Sequence, residues 1–135
     1  NNIQNHLETM LKSAQKKISV FLTAKSLADE SMLLASYLPK AKSKGVEIKI
    51  ATQQSKEASE AIKLLSPYAT VKATQKKARM VIVDGKEVLF MLYDTYDIHS
   101  SYDIGIWLNS GYLAASLEEA FSKEFSMLKK AEIVA

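Results

Sequence analysis

The sequence predicts an α/β fold, in which a mixed β-sheet carries helices on both faces. In the first half of the chain, apolar residues at helical spacing alternate with short β-rich runs, an order that implies right-handed crossovers between parallel strands. Further on, Asp84-Gly85 separates two apolar runs and predicts an antiparallel hairpin. With 135 residues, 47% of them hydrophobic and 24% charged, the chain suits a single domain.

Four amphipathic segments are predicted to be helices, because apolar residues recur in each at every third or fourth position. They span residues 3–16, 27–44, 56–65 and 110–130. Ser26 and Ser55 are the expected N-caps of the second and third helices, since a serine hydroxyl can accept a hydrogen bond from the first turn. Gly45 is the expected end of the second helix, because glycine adopts left-handed backbone without a steric cost. The fourth helix is expected to start at Asn109 or Ser110.

Five apolar or alternating segments are predicted to be strands, with a short extended piece around Val71. They are residues 18–23, 46–50, 79–83, 88–93 and 104–108. Asp84-Gly85 predicts a type I′ turn, because both central residues of that turn need positive φ. Residues Asp94–Ser101 are mostly polar and predict a loop, and Trp107 in the last strand is expected to lie in the core.

Composition excludes several classes of function. The chain has no Cys, and its two histidines, His6 and His99, are far apart and are expected at the surface, so neither a metal site nor a cofactor is expected. A net charge of +3 is too mild to identify a nucleic-acid-binding protein. The longest apolar run, Val88–Tyr93, is too short to cross a membrane. Without a secretory signature we expect a cytoplasmic protein, and without an initiator Met we expect a domain of a longer polypeptide.

The densest basic cluster contains Lys72, Lys76, Lys77 and Arg79 and leads into the strand that ends at Asp84. Arg79 is the only arginine of the chain, and its planar fork suits a carboxylate or a phosphate. The alternative is a solvated basic edge that discourages aggregation between strands. Asp84 has an alternative as well, since aspartate is favoured in tight turns for its backbone geometry.

Four segments, residues 18–23, 44–50, 79–89 and 104–109, follow one another in an order and spacing that resembles the phospholipase D-like domain of TrmB-family archaeal transcriptional regulators. The resemblance covers about residues 7–128. It implies a phospholipase D-like half-domain that binds an effector and forms a homodimer. It also implies a winged-helix domain upstream, through which alone the protein would contact DNA.

The resemblance also places three residues on a degenerate motif. In the wider phospholipase D superfamily, the active half-site is a His-x-Lys-x4-Asp run, which aligns here with Lys77, Arg79 and Asp84. Lys77 stands in the place of the nucleophilic histidine, and a protonated lysine has no lone pair with which to attack phosphorus. The expected Gly-Ser-x-Asn stretch is replaced by Met91-Leu92-Tyr93-Asp94. These departures predict a domain that is not an enzyme.

In open α/β sheets, ligands bind beyond the carboxyl ends of parallel strands. Here those positions are Thr23–Ser26 and Thr52–Ser55, both leading into helix N-termini, which favour anions. The resemblance to TrmB-family regulators implies a small-molecule effector, a sugar or an anionic metabolite, and we expect it to bind at these positions. Its expected contacts are Lys77, Arg79, Asp84, Thr23, Ser26, Thr52 and Ser55.

Two other functions stay open at this point. One is a phospholipase D-like phosphodiesterase or nuclease that acts as a dimer, and the other is a plain anion- or nucleic-acid-binding module that uses residues 72–79. For the expected homodimer, the fourth helix offers an apolar stripe. Its members are Leu113, Leu117, Phe121 and Phe125.

Overall fold

The computed structural model describes residues 2–93 and 102–134 of the chain. The described residues form four helices: α1 (Asn2–Ser13), α2 (Ala24–Ser43), α3 (Lys56–Leu65) and α4 (Gly111–Ser126). They also form a seven-stranded sheet. Its strands are β1 (Lys17–Phe21), β2 (Glu47–Thr52), β3 (Thr70–Ala73), β4 (Met80–Val83), β5 (Glu87–Met91), β6 (Gly105–Asn109) and β7 (Lys129–Lys130).

The strands are arranged in the order β6-β5-β4-β1-β2-β3-β7. Strands β1, β2 and β3 run parallel to one another, whereas β4, β5, β6 and β7 each pair antiparallel with their neighbours. The mixed sheet predicted from the sequence is therefore confirmed. Two strands exceed the five predicted: β3 was expected only as an extended piece, and β7 has two residues, too few for any alternation to be visible.

Helices cover both faces of the sheet, as predicted. Along β1 the side chains alternate: Ile18 and Val20 belong to the core beneath α1, α2 and α3, whereas Phe21 belongs to a second core beneath α4. Ser19 faces α4 as well, and its hydroxyl donates to the buried carboxylate of Glu118 at 2.7 Å. Three helices thus lie on one face and one on the other.

Helix ends follow local signals, with one correction. Thr23, not Ser26, is the N-cap of α2, and its Oγ1 accepts a hydrogen bond from the Ser26 amide at 3.3 Å. The prediction of Ser26 was wrong because α2 begins at Ala24, soon after β1 ends at Phe21, so the residue before the helix is Thr23. Ser55 and Ser110 cap α3 and α4 as predicted. Gly45, with φ of 87°, follows the end of α2, also as predicted.

The β4–β5 hairpin has the predicted turn. Asp84 and Gly85 have φ values of 57° and 61°, the positive values that a type I′ turn requires. The Lys86 amide donates to the Val83 carbonyl at 3.0 Å and closes the turn.

Three expectations about packing need correction. Helix α1 ends at Ser13 rather than near Lys16, because the next amides turn toward the Asp84 carboxylate. Trp107 is 40% exposed rather than in the core, because β6 is an outer strand of the sheet. The α4 stripe is largely unavailable to a partner, because Phe121 and Phe125 pack on the chain's own sheet.

Candidate ligand site at the carboxyl edge of the sheet

Arg79 lies immediately before β4 and is buried. Its two terminal nitrogens donate to the two carboxylate oxygens of Asp103 at 2.9 and 2.6 Å, and Nη1 also donates to the Tyr93 carbonyl at 2.8 Å. The side chains of Arg79 and Asp103 are only 7% and 8% exposed. The interpretation of Arg79 as part of a solvated edge is therefore wrong, because β4 lies between β1 and β5.

Glu30 of α2 adds a second carboxyl group to the surroundings of this ion pair. Burial raises the pKa of Glu30, and the negative charges of Asp29 and Asp103 act in the same direction. A hydrogen bond with Gln4 and the charge of Arg79 oppose this shift without cancelling it, so the pKa lies above its ordinary value of 4.5. The charge of Arg79 thus influences Glu30 as well as Asp103, but the ion pair is formed with Asp103.

A small cavity of about 120 Å³ opens beside Arg79. Its lining residues are Thr23, Lys77, Ala78, Arg79, Met91, Leu92 and Tyr93. The structure therefore brings together three of the predicted site residues, Thr23, Lys77 and Arg79. The cavity is smaller than the ~300–1,000 Å³ of a pocket for a whole small molecule. It suits one anionic group of a ligand.

Three further predicted residues lie at the same edge of the sheet but do not line this cavity. Ser26 and Thr52 are buried, and within the described residues their hydroxyl oxygens have no hydrogen-bond partner. Ser55 caps α3, where its Oγ accepts from the Ala58 amide at 3.4 Å. The Ser55 hydroxyl therefore caps a helix, and the hydroxyls of Ser26 and Thr52 lie beneath the surface.

Asp84 lies at the other end of β4, away from Arg79. Its carboxylate accepts hydrogen bonds from the amides of Gln15, Lys16 and Lys17 at 2.7–2.9 Å. Burial alone would raise the pKa of Asp84, but these amides together lower it below its ordinary value of 3.8. Asp84 thus holds the entry to β1 and the hairpin together, which agrees with the alternative interpretation of this residue.

Sequence reasoning missed Gln53, which follows directly after β2. Its Oε1 accepts from the Ala24 amide at 3.0 Å, and its Nε2 donates to the Lys76 carbonyl at 2.6 Å. One amide side chain therefore joins the start of α2 to the segment that carries Lys77. The only signal for this role in the sequence is the position of Gln53, a residue with an amide side chain, directly after a parallel strand.

Sequence reasoning did not identify Asp103 as the partner of Arg79. A buried arginine requires a carboxylate partner, so the sequence could have predicted a partner for Arg79. It could not choose among Asp94, Asp97 and Asp103, because all three follow β5 in the chain. The predictions of a polar loop at Asp94–Ser101 and of a surface position for His99 fall outside the described residues.

Two other expectations concern single features. His6 is exposed, as predicted, and its ring stacks on Trp107 with 5.4 Å between the ring centroids. Within residues 2–93 and 102–134, no group of three acidic or histidine side chains is placed to hold a metal ion. In the same ranges, no helix combines the length and the apolar character needed to cross a membrane.

The cavity is placed to receive an anion, and its lining lacks the nucleophilic histidine of the phospholipase D motif. Lys77 is exposed at its mouth and supplies one ammonium group. Thr23 already accepts a bond from the helix it caps, and Arg79 is paired with Asp103. None of the lining residues is a histidine, and a protonated lysine is no nucleophile.

Comparisons with known proteins agree on the fold. The family model described as "Transcriptional regulator TrmB, EBD N-terminal subdomain" matches residues 1–129. The solved structure of TrmBL2, an archaeal chromatin protein with a novel mode of DNA binding, is 24% identical with a TM-score of 0.73 over 96% of this chain. The chain spans only 50% of that protein.

Two bacterial structures of the phospholipase D type are also similar in fold. A phospholipase D family member, Nuc from Salmonella typhimurium, is 15% identical with a TM-score of 0.71, and the alignment covers 96% of this chain and 90% of Nuc. NucT from Helicobacter pylori is 13% identical with a TM-score of 0.75, covering 96% and 91% of the two chains. No curated protein matches the sequence.

Proposed function

Because the chain belongs to the TrmB family of transcriptional regulators, we propose that it is a catalytically inactive effector-binding and dimerising module of a cytoplasmic regulator. DNA would be bound by a winged-helix domain outside these 135 residues. The observation that carries the proposal is Lys77, an exposed cation where the phospholipase D resemblance requires a nucleophilic histidine. The module keeps a place for an anion and lacks the group that would attack it.

The surroundings of Lys77 support the loss of catalysis. The second basic position of the motif is Arg79, whose fork is occupied by Asp103. The last residue of the motif is Asp84, whose carboxylate accepts hydrogen bonds from three backbone amides at the far end of β4. None of the three motif positions thus offers both access and the chemistry of phosphodiester cleavage.

Lys77 and Thr23 support binding of an anionic group. They line the same cavity, and Thr23 is the N-cap of α2, whose helix dipole favours negative charge at that end. We propose that a carboxylate or phosphate of the effector enters the 120 Å³ cavity and contacts Lys77 and Thr23. Arg79 would join these contacts only when the anion displaces Asp103. Ser26 and Thr52 lie at the same edge of the sheet, but their buried hydroxyls would reach an effector only after a rearrangement that uncovers them, and Ser55 would stay the cap of α3.

Thermal unfolding in the presence of sugars, sugar phosphates and inorganic phosphate tests the effector role. A ligand at about 100 times its Kd should add ~2.7 kcal/mol to the free energy of unfolding. Lys77→Ala should weaken binding of an anionic ligand roughly tenfold to a hundredfold, since a charge-assisted hydrogen bond is worth ~1.5–3 kcal/mol. Lys63→Ala, at an exposed lysine on α3, is the matched control.

The outcomes separate the parts of the proposal. If none of these compounds raises the melting temperature, the effector role proposed for this class of ligand is wrong. If a ligand binds equally well to the wild type and to Lys77→Ala, the location of the site is wrong. Turnover of a chromogenic phosphodiester that disappears in Lys77→Ala would instead establish an enzyme.

A further inference from the structure

The two ends of the sheet differ in how they are protected against pairing with another strand. At one end, β7 has two residues, both of them exposed lysines. Short strands and lysines are the usual means of blunting an edge. At the other end, β6 has five residues, Gly105–Asn109, none of them charged. Within the described residues, β6 pairs on one side only, with β5.

Large apolar and aromatic side chains surround this unprotected edge. Those that are at least about a third exposed within residues 102–113 are Tyr102, Ile104, Ile106, Trp107, Tyr112 and Leu113. We name these six side chains the β6 patch. They lie on both faces of the strand: Ile106 pairs with Phe90 on the α4 side, and Trp107 stacks on His6 on the α1 side. An apolar patch of this kind on a soluble domain marks an interaction surface.

We propose that the β6 patch is the homodimer interface, formed by antiparallel pairing of β6 with β6 of a second copy across a two-fold axis. This inference rests on the dimer in the proposed function and names the surface that forms it. A two-fold axis brings each strand against itself. A charged residue on β6 would therefore lie close to a residue of the same charge on the second copy, and β6 carries no charged residue.

The size of the β6 patch agrees with a dimer. Six side chains of these types, exposed to this extent, offer on the order of 800 Å² per chain. A protein interface of standard size takes about 800 Å² from each partner. The strand edge adds backbone hydrogen bonds to the buried area, because the outward N–H and C=O groups of β6 find partners in the second copy.

Light scattering and sedimentation over a range of concentrations test the proposal. The wild type should approach twice its mass of 15.0 kDa as the concentration rises. Ile106→Lys and Tyr112→Lys should each raise the dimer Kd about tenfold or more, because each variant places a charge within the β6 patch that the dimer would bury. Tyr112 is 89% exposed, so its replacement leaves the fold intact. Met32→Lys, at a 73% exposed methionine on α2, is the matched control and should dimerise like the wild type.

Trp107 is the only tryptophan of the chain and supplies an independent signal. Its emission should move to shorter wavelength as the wild type dimerises, and should not move in Tyr112→Lys. A dimer that persists in both lysine variants, with unchanged Trp107 emission, overturns the assigned surface and leaves the dimer itself standing. If the wild type stays monomeric at every concentration, both the assigned surface and the dimer are overturned. Effector binding is measured separately by thermal unfolding, so neither result affects that part of the proposed function.

Discussion

Asp103 occupies the guanidinium fork of Arg79 in the way that a bound phosphate or carboxylate ligand would. Both carboxylate oxygens accept, at 2.9 and 2.6 Å, and both side chains are almost fully buried. The Asp103 carboxylate therefore makes Arg79 part of a structural ion pair between the start of β4 and the entry to β6.

We predict that Asp103→Ala destabilises the domain by about 3–5 kcal/mol, because it leaves the Arg79 charge buried and uncompensated. Urea unfolding measures the loss. The double variant Arg79→Met/Asp103→Leu should recover most of it, since apolar residues of similar volume can replace a buried ion pair at little cost.

Lys123→Ala provides the control, because Lys123 and Glu119 form an exposed pair on α4. Its effect should stay within about 0.5 kcal/mol. If Asp103→Ala costs no more than this control, the ion pair is not structural and the fork of Arg79 is free for a ligand.

The second prediction concerns Asp84 and acid. Because the folded-state pKa of Asp84 lies below 3.8, its charge stabilises the fold at pH values above 3.8. That contribution is lost as the pH falls from 3.8 through the lower folded-state value. Asp84→Asn keeps a residue that tolerates positive φ and should cost about 1 kcal/mol at pH 7, since solvent reaches part of the site.

Thermal unfolding from pH 7 to pH 2 tests this dependence. The gap between the wild type and Asp84→Asn should close below pH 3.8. A gap that is equally wide at pH 2 and pH 7 would mean that the carboxylate charge plays no part in holding the three amides.

Glu30 should behave in the opposite way. Its pKa is raised above 4.5 by burial, so its charged form destabilises the fold at neutral pH, and the wild type gains stability as the pH falls toward 4.5. Glu30→Gln resembles the protonated side chain and should unfold at higher temperature than the wild type at pH 7, by a few degrees at most. The two melting temperatures should converge below pH 4.5; a variant that is less stable at pH 7 contradicts this account.

Glycine positions provide the fourth prediction. Gly85→Ala should cost about 1–2 kcal/mol, because φ is 61° there and a Cβ is disfavoured in left-handed backbone. Gly111→Ala, in the first turn of α4 with open space around it, should be neutral or stabilising by up to about 1 kcal/mol. Equal effects at the two positions, measured by urea unfolding, would contradict the type I′ turn.

Signals confined to a few neighbouring residues predicted much of the fold. The type I′ hairpin follows from Asp84-Gly85, the end of α2 from Gly45, and the start of α3 from Ser55, because each depends on backbone geometry within one turn. The prediction of Ser26 as a cap failed for a local reason too, since Thr23 offers the same chemistry one turn earlier.

The candidate site could be predicted only in part, because it depends on contacts between residues that are far apart in the chain. Arg79 and Asp103 are 24 positions apart, and periodicity carries no information about which carboxylate meets a given arginine. The exposure of Trp107 was missed for a related reason. Its strand is as apolar as a central strand, and only the strand order places it at the end of the sheet.

The short strand β7, with its two lysines, affects how many copies of the chain could join edge to edge through their sheets. A sheet with two open edges can add copies at both ends and extend into a filament, as amyloid does. In the proposed dimer, β6 is used by both copies, and the β7 ends with Lys129 and Lys130 would face outward. Pairing would therefore stop after one addition, and the assembly would be closed and finite.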